Sequence, residues 1–364
     1  MPHWSMQDTT NMSDEAYQAY SLQGVSRTFA LTIPQLPEKL RLQVGNAYLL
    51  CRITDTIEDE VSLTIEQKEK FASEFVKVVK GDGSANHFAS ALSNVLTDST
   101  VEAERDLIRN TERVIRLTHS FSLPQRYAIE RCVNEMATGM IRFQKQQSLN
   151  GLQDTKELGD YCYYVAGVVG IMLTELFCNY SHSIMKNREQ MLNFAVSFGQ
   201  GLQMTNILKD IWDDQQRGAC WLPRDVFLQC GFDMRNIIAY RNDDCYLTGM
   251  ASLIAITSMH LRNALQYTLL IPAEEKGIRR FCFWALGMAL LTLRKLNKHK
   301  NFHSGQEVKI SRNSVKAVIV ATELVVSGDK RARWLFDFVT KALPHVPENM
   351  LATRPNNIVS QKVL

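Results

Sequence analysis

Apolar residues recur along this chain at intervals of three and four, and two-residue alternation is scarce. Between Ala47 and Ile57 they fall at 47, 49, 50, 53 and 57; between Val101 and Leu117 they fall at 101, 103, 107, 108, 114, 115 and 117. Such spacing predicts helices with one buried face. Residues 46–80, 85–123 and 171–198 contain neither Gly nor Pro, so each has room for one or two helices of ordinary length. Turns are expected at Gly81–Ser84, at Ser122-Leu123-Pro124 and at Leu222-Pro223. Ser13-Asp14-Glu15, ahead of an apolar series, reads as a helix start. No repeat, low-complexity tract or linker divides the chain. The pattern predicts one all-α domain over residues 12–345 and a polar tail over 346–364, the weakest point of that continuity being residues 81–86.

Composition strengthens the helical reading. The chain has 18 Gly and 9 Pro in 364 residues, fewer of both breakers than average usage. With 45% hydrophobic and 22% charged residues, neither disorder nor a fibrous rod describes it. Net charge is +3, which leaves no electrostatic footprint for nucleic acid. The eight Cys include no C-x-x-C pair and are expected to be buried free thiols in a reducing compartment. Met1–Asp14 lacks the apolar core of a signal peptide. The apolar runs Phe281–Leu293 and Tyr161–Thr174 fall short of the ~20 residues a membrane span needs, so both are expected as core helices and the protein as cytoplasmic.

Two acidic clusters carry the chemistry. Asp55-Thr56-Ile57-Glu58-Asp59 and Asp210-Ile211-Trp212-Asp213-Asp214 both read D-x-x-[ED]-D. On a helix, positions i, i+3 and i+4 share a face, so Asp55, Glu58 and Asp59 project together, as do Asp210, Asp213 and Asp214. Such like charges repel, and their neighbours are apolar: Leu49, Leu50, Cys51 and Ile53 for the first, Ile207, Leu208, Ile211 and Trp212 for the second. One such cluster alone reads as a solvated face. Two, on apolar-flanked helices, read as carboxylates lining a cleft that need a cation. Mg²⁺ fits, because it takes oxygen ligands and combines one or two carboxylates with substrate phosphates. The clusters therefore predict bound Mg²⁺ that clamps a diphosphate and stabilises its charge as it leaves.

Nearby residues suit the same chemistry. Arg27, Arg52 and Lys209 are either phosphate contacts or helix-surface ion pairs. Tyr161, Tyr163 and Tyr164, in the Gly-bearing run 161–170, either pack in the core or lend ring faces to a carbocation. No Rossmann or P-loop glycine pattern, H-E-x-x-H or nucleophile elbow is present.

Four ordered stretches carry a resemblance: Ser26-Arg27-Thr28-Phe29, Tyr48–Asp59, Tyr161–Gly167 and Gln203–Asp214. Over roughly residues 17–345 the chain resembles the squalene and phytoene synthase family. Within it, the Y-C-x-Y-V-A-G run and the D-T-I-E-D form look most similar to those of bacterial squalene synthases.

The resemblance implies an all-α isoprenoid synthase fold with a central cavity between two aspartate-rich helices. The metal residues are expected to be Asp55, Glu58, Asp59, Asp210, Asp213 and Asp214, of which the resemblance implies Asp55, Asp59, Asp210 and Asp214 as the Mg²⁺-diphosphate ligands. Tyr48 and Arg52 would line the first diphosphate; Gln203, Asn206 and Lys209 would line the cavity and the second. Tyr161 would stabilise a cation or relay a proton. Lys309 and Arg312, with Ser26 and Arg27, would hold NADPH; Lys309 and Arg312, three positions apart, are expected to share a face.

The implied reaction joins two farnesyl diphosphates head to head into presqualene diphosphate and reduces that to squalene with NADPH. Alternatives are a dehydrosqualene or phytoene synthase without hydride transfer, and, remotely, a non-catalytic assembly protein on the same fold. A monomer is expected, with peripheral membrane contact on product grounds alone.

Three departures bear on this. Lys209 stands where the family often has Arg; Ala219 stands near a usually basic position, with Arg217 close by; Ala285-Leu286 replaces a Pro-Gln pair. Lys keeps the charge of Arg but loses its fork.

Overall fold

The computed structural model describes residues 5–26, 28–238 and 240–345. Its described residues form helices and turns, with no strand beyond one parallel bridge between Leu152 and Pro223. The all-α expectation holds. Contacts divide the chain into two compact units. One comprises the residues up to Gln146 together with Ile171–Lys186; the other comprises Gln147–Gly170 and the residues from Asn187 on.

In the first unit, α1 (Asp14–Val25) starts where expected, with the Ser13 hydroxyl accepting from the Ala16 N–H at 3.2 Å. There follow α2 (Glu38–Asp59), α3 (Ile65–Lys80), α4 (Ala85–Ser93), α5 (Glu102–Arg109), α6 (Thr111–Ser120) and α7 (Leu123–Gln144). Capping boxes open α3 at Thr64/Gln67 and α7 at Ser122/Gln125, and each satisfies N–H groups that a helix start leaves unpaired. Helix α2 is the axis of the unit. Its Leu40, Val44, Leu49, Leu50, Ile53 and Ile57 are buried, and it packs on α1, α6 and α7. Buried Asn46 fixes its register by donating to the Val114 carbonyl at 3.2 Å and the Thr118 hydroxyl at 2.8 Å.

Residues 85–123 hold three helices, one more than the pattern predicts. The extra break falls where polar side chains compete for the backbone. Asn110 donates to the Asp106 carbonyl at 2.9 Å between α5 and α6, and Thr97 and Thr100 bond Glu60 rather than continuing a helix.

In the second unit, α8 (Thr155–Cys162) runs through a π-helical turn, Tyr163–Gly167, into α9 (Val168–Tyr180), within which the chain passes back to the first unit. Then come α10 (Arg188–Gln216), α11 (Asp244–Leu270), α12 (Lys276–Lys298), α13 (Arg312–Val325) and α14 (Asp329–Thr340). The π turn and α10 meet at backbone distance. A Cβ on Gly170 would lie 2.1 Å from the Ala195 carbonyl oxygen, and one on Gly199 would lie 2.1 Å from that of Ala166. Buried Arg279 ties helix ends together by donating to the Ile271 carbonyl at 2.7 Å, the Val326 carbonyl at 3.1 Å and Asp329 at 2.8 Å.

Phe281–Leu293 is a buried core helix, as expected. The run at Tyr161 is longer than it looks in sequence, because the π turn lets the helix continue over Thr155–Tyr180. Those 26 residues are long and apolar enough to cross a membrane, but 61% of their most apolar window is buried in protein, as in a core helix.

The cysteine expectation needs correcting. Cys51, Cys132, Cys162, Cys178, Cys220 and Cys282 are buried and free, but Cys230 and Cys245 form a disulfide across a separation of 15 residues. Cys230 is exposed in the loop before α11, beside the helix start that carries Cys245, a closeness that spacing alone does not reveal.

Candidate active site

The first acidic cluster occupies the last two turns of α2. Tyr48, Arg52, Asp55 and Asp59, at i, i+4, i+7 and i+11, form one stripe that runs from half-buried at Tyr48, Arg52 and Asp55 to exposed at Asp59, while Leu49, Ile53 and Ile57 face the core. Burial pushes the Asp55 carboxyl up to about 7; Arg52 opposes this, while Asp59 and Glu104 add to it. Burial, with Asp59 next, pushes Glu58 up to about 8. These carboxylates also sit at the negative end of the helix dipole, and the last turn of α2 has no basic residue.

Arg52 is held on both sides. It donates to Glu104 from Nε at 2.9 Å and from Nη2, and it lies 3.4 Å from Asp55. Burial works against its charge, but Asp55 and Glu104 outweigh burial and keep it protonated. Glu58 points elsewhere: Gln144 donates to its carboxylate at 2.6 Å, and Lys68 to its backbone carbonyl. The face thus offers Asp55 and Asp59 forward, with Glu58 to the side. Tyr48 donates to the Val25 carbonyl at 3.2 Å and bonds Ser26, and burial raises its pKa.

The second cluster repeats the design at the end of α10. Gln203, Asn206, Asp210, Asp213 and Asp214 lie on the open side of the helix, whereas Ile207, Leu208 and Ile211 are buried. Burial raises the Asp210 pKa; Lys209, 3.1 Å away, works against that, and Asp213 adds to it. Here too the last turn has no basic residue. A loop lies against the cluster. The Trp212 indole donates to the Phe302 carbonyl at 2.8 Å, and a side chain at Gly305 would come within 3.1 Å of the Lys209 carbonyl oxygen.

Among the described residues no three His, Cys, Asp or Glu side chains converge tightly enough to hold a metal ion by themselves. The donor set still fits Mg²⁺, which takes one or two carboxylates and completes its shell from substrate phosphates and water. Crowded carboxylates at the negative end of a helix are stabilised by such a cation.

Tyr161 stacks on Trp221, with ring centroids 4.2 Å apart and planes 6° from parallel; both side chains are buried. Trp221 is brought there by paired loops. Leu152 N–H donates to the Leu222 carbonyl at 2.9 Å, and Arg224 N–H to that of Leu152 at 2.9 Å. Tyr163 and Tyr164 meet edge to face at 5.2 Å in the π turn, an irregularity common at functional sites.

The residues expected to hold NADPH are placed differently from one another. Ser26 is buried and accepts from the Phe29 N–H at 2.9 Å. Arg27 lies outside the described residues. Lys309 and Arg312 are exposed, but α13 begins at Arg312 with Ser311 as its cap, so Lys309 lies ahead of the helix and the two do not share a helical face. The two cations suit an anionic phosphate group, without the glycine-rich cradle of a nucleotide fold.

Two residues escape sequence reasoning. Trp221 had a signal, an aromatic just before the Leu222-Pro223 turn. Glu60, one position beyond the first cluster, had none. It is 1% exposed and anchors the end of α2, accepting from the Ser62 N–H at 3.0 Å, Thr97 N–H at 2.9 Å, and the Thr97 and Thr100 hydroxyls at 2.8 Å. Burial alone would raise its pKa; these bonds hold it at about 2.

Comparisons with known proteins bear on the family and fold of the chain. The chain is 30% identical over 289 residues to squalene synthase ERG9 of Gibberella zeae, covering 79% of this chain and 60% of that one. It spans about three fifths of the length of the first curated relatives it matches. Those relatives are fungal squalene synthases, so a specifically bacterial likeness does not follow. A structure of TcSQS with ligand BPH1237 matches with TM-score 0.73 at 21% identity, covering 96% of this chain and 94% of that one. A dehydrosqualene synthase in complex with ligand matches with TM-score 0.63 at 20% identity, covering 85% and 95%. These likenesses show the fold, the all-α isoprenoid synthase fold. With residues 22–314 matching the family described as squalene/phytoene synthase, the chain belongs to that family.

Proposed function

We propose that the chain is a prenyltransferase that condenses two farnesyl diphosphates head to head and converts the product to squalene. The observation that carries this is the pair of D-x-x-[ED]-D clusters, each on an open helix face at the dipole's negative end with no basic residue in the last turn. Family membership supports the same chemistry. Asp55 and Asp59, and Asp210 and Asp214, would hold Mg²⁺, which when bound neutralises the diphosphate that leaves.

The C1–O bond of one substrate breaks, its electron pair leaves with the diphosphate, and the allylic cation is attacked by the double bond of the other. Ring closure with proton loss gives presqualene diphosphate. Lys209 and Arg52 stand beside the carboxylates as cations for phosphate oxygens. Tyr161 and Trp221 offer ring faces to positive charge, and the apolar flanks of both helices keep out water that would quench a cation to an alcohol. Ionisation of the cyclopropyl diphosphate opens the last step. Lys309 and Arg312 would hold the phosphates of NADPH, which when bound supplies hydride.

A product assay tests this. Purified protein is incubated with farnesyl diphosphate and Mg²⁺, with and without NADPH, and the extract is analysed by mass spectrometry. Squalene only in the presence of NADPH is the expected result. Dehydrosqualene in both reactions would assign the chain to the non-reductive branch, and no condensation product with any prenyl diphosphate would overturn the reading.

A further inference from the structure

We propose that the outer face of α13 and α14 docks on an anionic lipid bilayer. Four large apolar side chains stand out of it: Val320 (63% exposed) and Leu324 (64%) on α13, Trp334 (67%) and Phe338 (62%) on α14. Each pair is one helical turn apart. The Trp334 and Phe338 rings stack at 5.6 Å with planes 12° apart, so they form one apolar plate. The opposite faces of the same helices, with Val318, Val325, Leu335 and Phe336, line an apolar cavity of about 180 Å³ beside Leu286 and Leu290 of α12. Core packing explains those inner residues. It does not explain the outer four, which exceed the scattered single apolar residues of an ordinary surface.

Charge selects the occupant. Every carboxylate on the two helices is neutralised from a neighbouring helix: Glu323 by Arg280 at 2.6 Å, Asp329 by Arg279 at 2.8 Å and Asp337 by Arg262 at 2.9 Å. Arg312, Lys316, Lys330, Arg331 and Lys341 are exposed and form no ion pair among the described residues. Lys330, Trp334, Phe338 and Lys341 fall at i, i+4, i+8 and i+11, on one face of α14 and just past its end; Lys316, Val320 and Leu324 share a face of α13. Apolar and aromatic side chains flanked by uncompensated lysines suit the boundary between acyl chains and anionic headgroups. A second copy in a two-fold contact would bring the same positive charges together.

The full chain is sedimented with vesicles of phosphatidylcholine alone and of phosphatidylcholine mixed with phosphatidylserine. This readout is binding and does not depend on the reaction. Binding is expected to the mixed vesicles, weakened by salt, reduced about fivefold by each of Lys330→Glu and Lys341→Glu, and reduced roughly tenfold or more by Trp334→Ser with Phe338→Ser. All four positions are exposed, so unchanged thermal unfolding would show the variants fold. Absence of binding to either vesicle, or binding indifferent to the aromatic pair, overturns the proposal. So does a concentration-dependent dimer lost in the same variants, which would give the face to a second copy. Binding seen only after removal of residues 346–364 would give it to that segment.

Discussion

Tyr161 and Trp221, sixty residues apart in sequence, lie face to face at 4.2 Å. The stack fixes the plane of the Tyr161 ring. Replacing Trp221 with Leu is expected to lower turnover roughly tenfold, about the 1–2 kcal/mol of a desolvated cation–π contact, and to add prenyl alcohols from water capture. Trp221→Phe should restore most of the rate. Product analysis by mass spectrometry measures both effects, and a Leu variant with normal rate and products would refute a role for the stack.

Asp55 and Asp210 make a paired prediction of opposite signs for activity and stability. Each is a crowded carboxylate whose ionised form is disfavoured in the folded protein without a cation. Asp55→Asn and Asp210→Asn should therefore each raise the melting temperature of metal-free protein by a few degrees while cutting turnover a hundredfold or more. Mg²⁺ with a diphosphate should raise the melting temperature of the unsubstituted protein and much less that of the variants. Differential scanning fluorimetry separates the cases.

His260 sets a pH window for stability. It is buried between α11 and α10, where its Nδ1 lies 2.7 Å from the Ser197 hydroxyl, and burial lowers its pKa to about 4. The unfolded chain binds this proton near pH 6.5 and the folded chain only near 4, so the stability tied to neutral His260 is complete above pH 6.5 and lost as pH falls toward 4. About 3 kcal/mol would go across that window. Urea titrations at several pH values measure it, and His260→Gln should flatten this part of the profile.

The helix crossing at Gly199 tolerates no side chain. Gly199→Ala would put a methyl 2.1 Å from the Ala166 carbonyl oxygen, against backbone that cannot turn aside. The expected cost is ~3 kcal/mol or more, beyond ordinary overpacking, read as loss of soluble protein or a large drop in melting temperature. Ser197→Ala, two positions away, is expected to fold.

The helices and both acidic clusters were legible because each depends on residues within a few positions of one another. The period of 3.6 located the core face of α2, and the D-x-x-[ED]-D spacing placed Asp55 beside Asp59. What escaped depends on distant partners. Nothing near Glu60 announces the Thr97 and Thr100 hydroxyls that hold it, and nothing near Cys230 announces Cys245. Spacing also misled at Lys309 and Arg312, because the cap at Ser311 starts a new helix between them.

The interleaving of the two units has a consequence for how the chain is made. The first unit includes Ile171–Lys186, after a 24-residue passage, Gln147–Gly170, that belongs to the second. A growing chain therefore cannot finish its first unit when Gln146 emerges; it must wait until the stretch beyond Ile171 is also out. By then part of the second unit has been synthesised with none of α10 to pack against. A gene cut at residue 146 would leave Ile171–Lys186 on a different piece from the rest of the unit it belongs to.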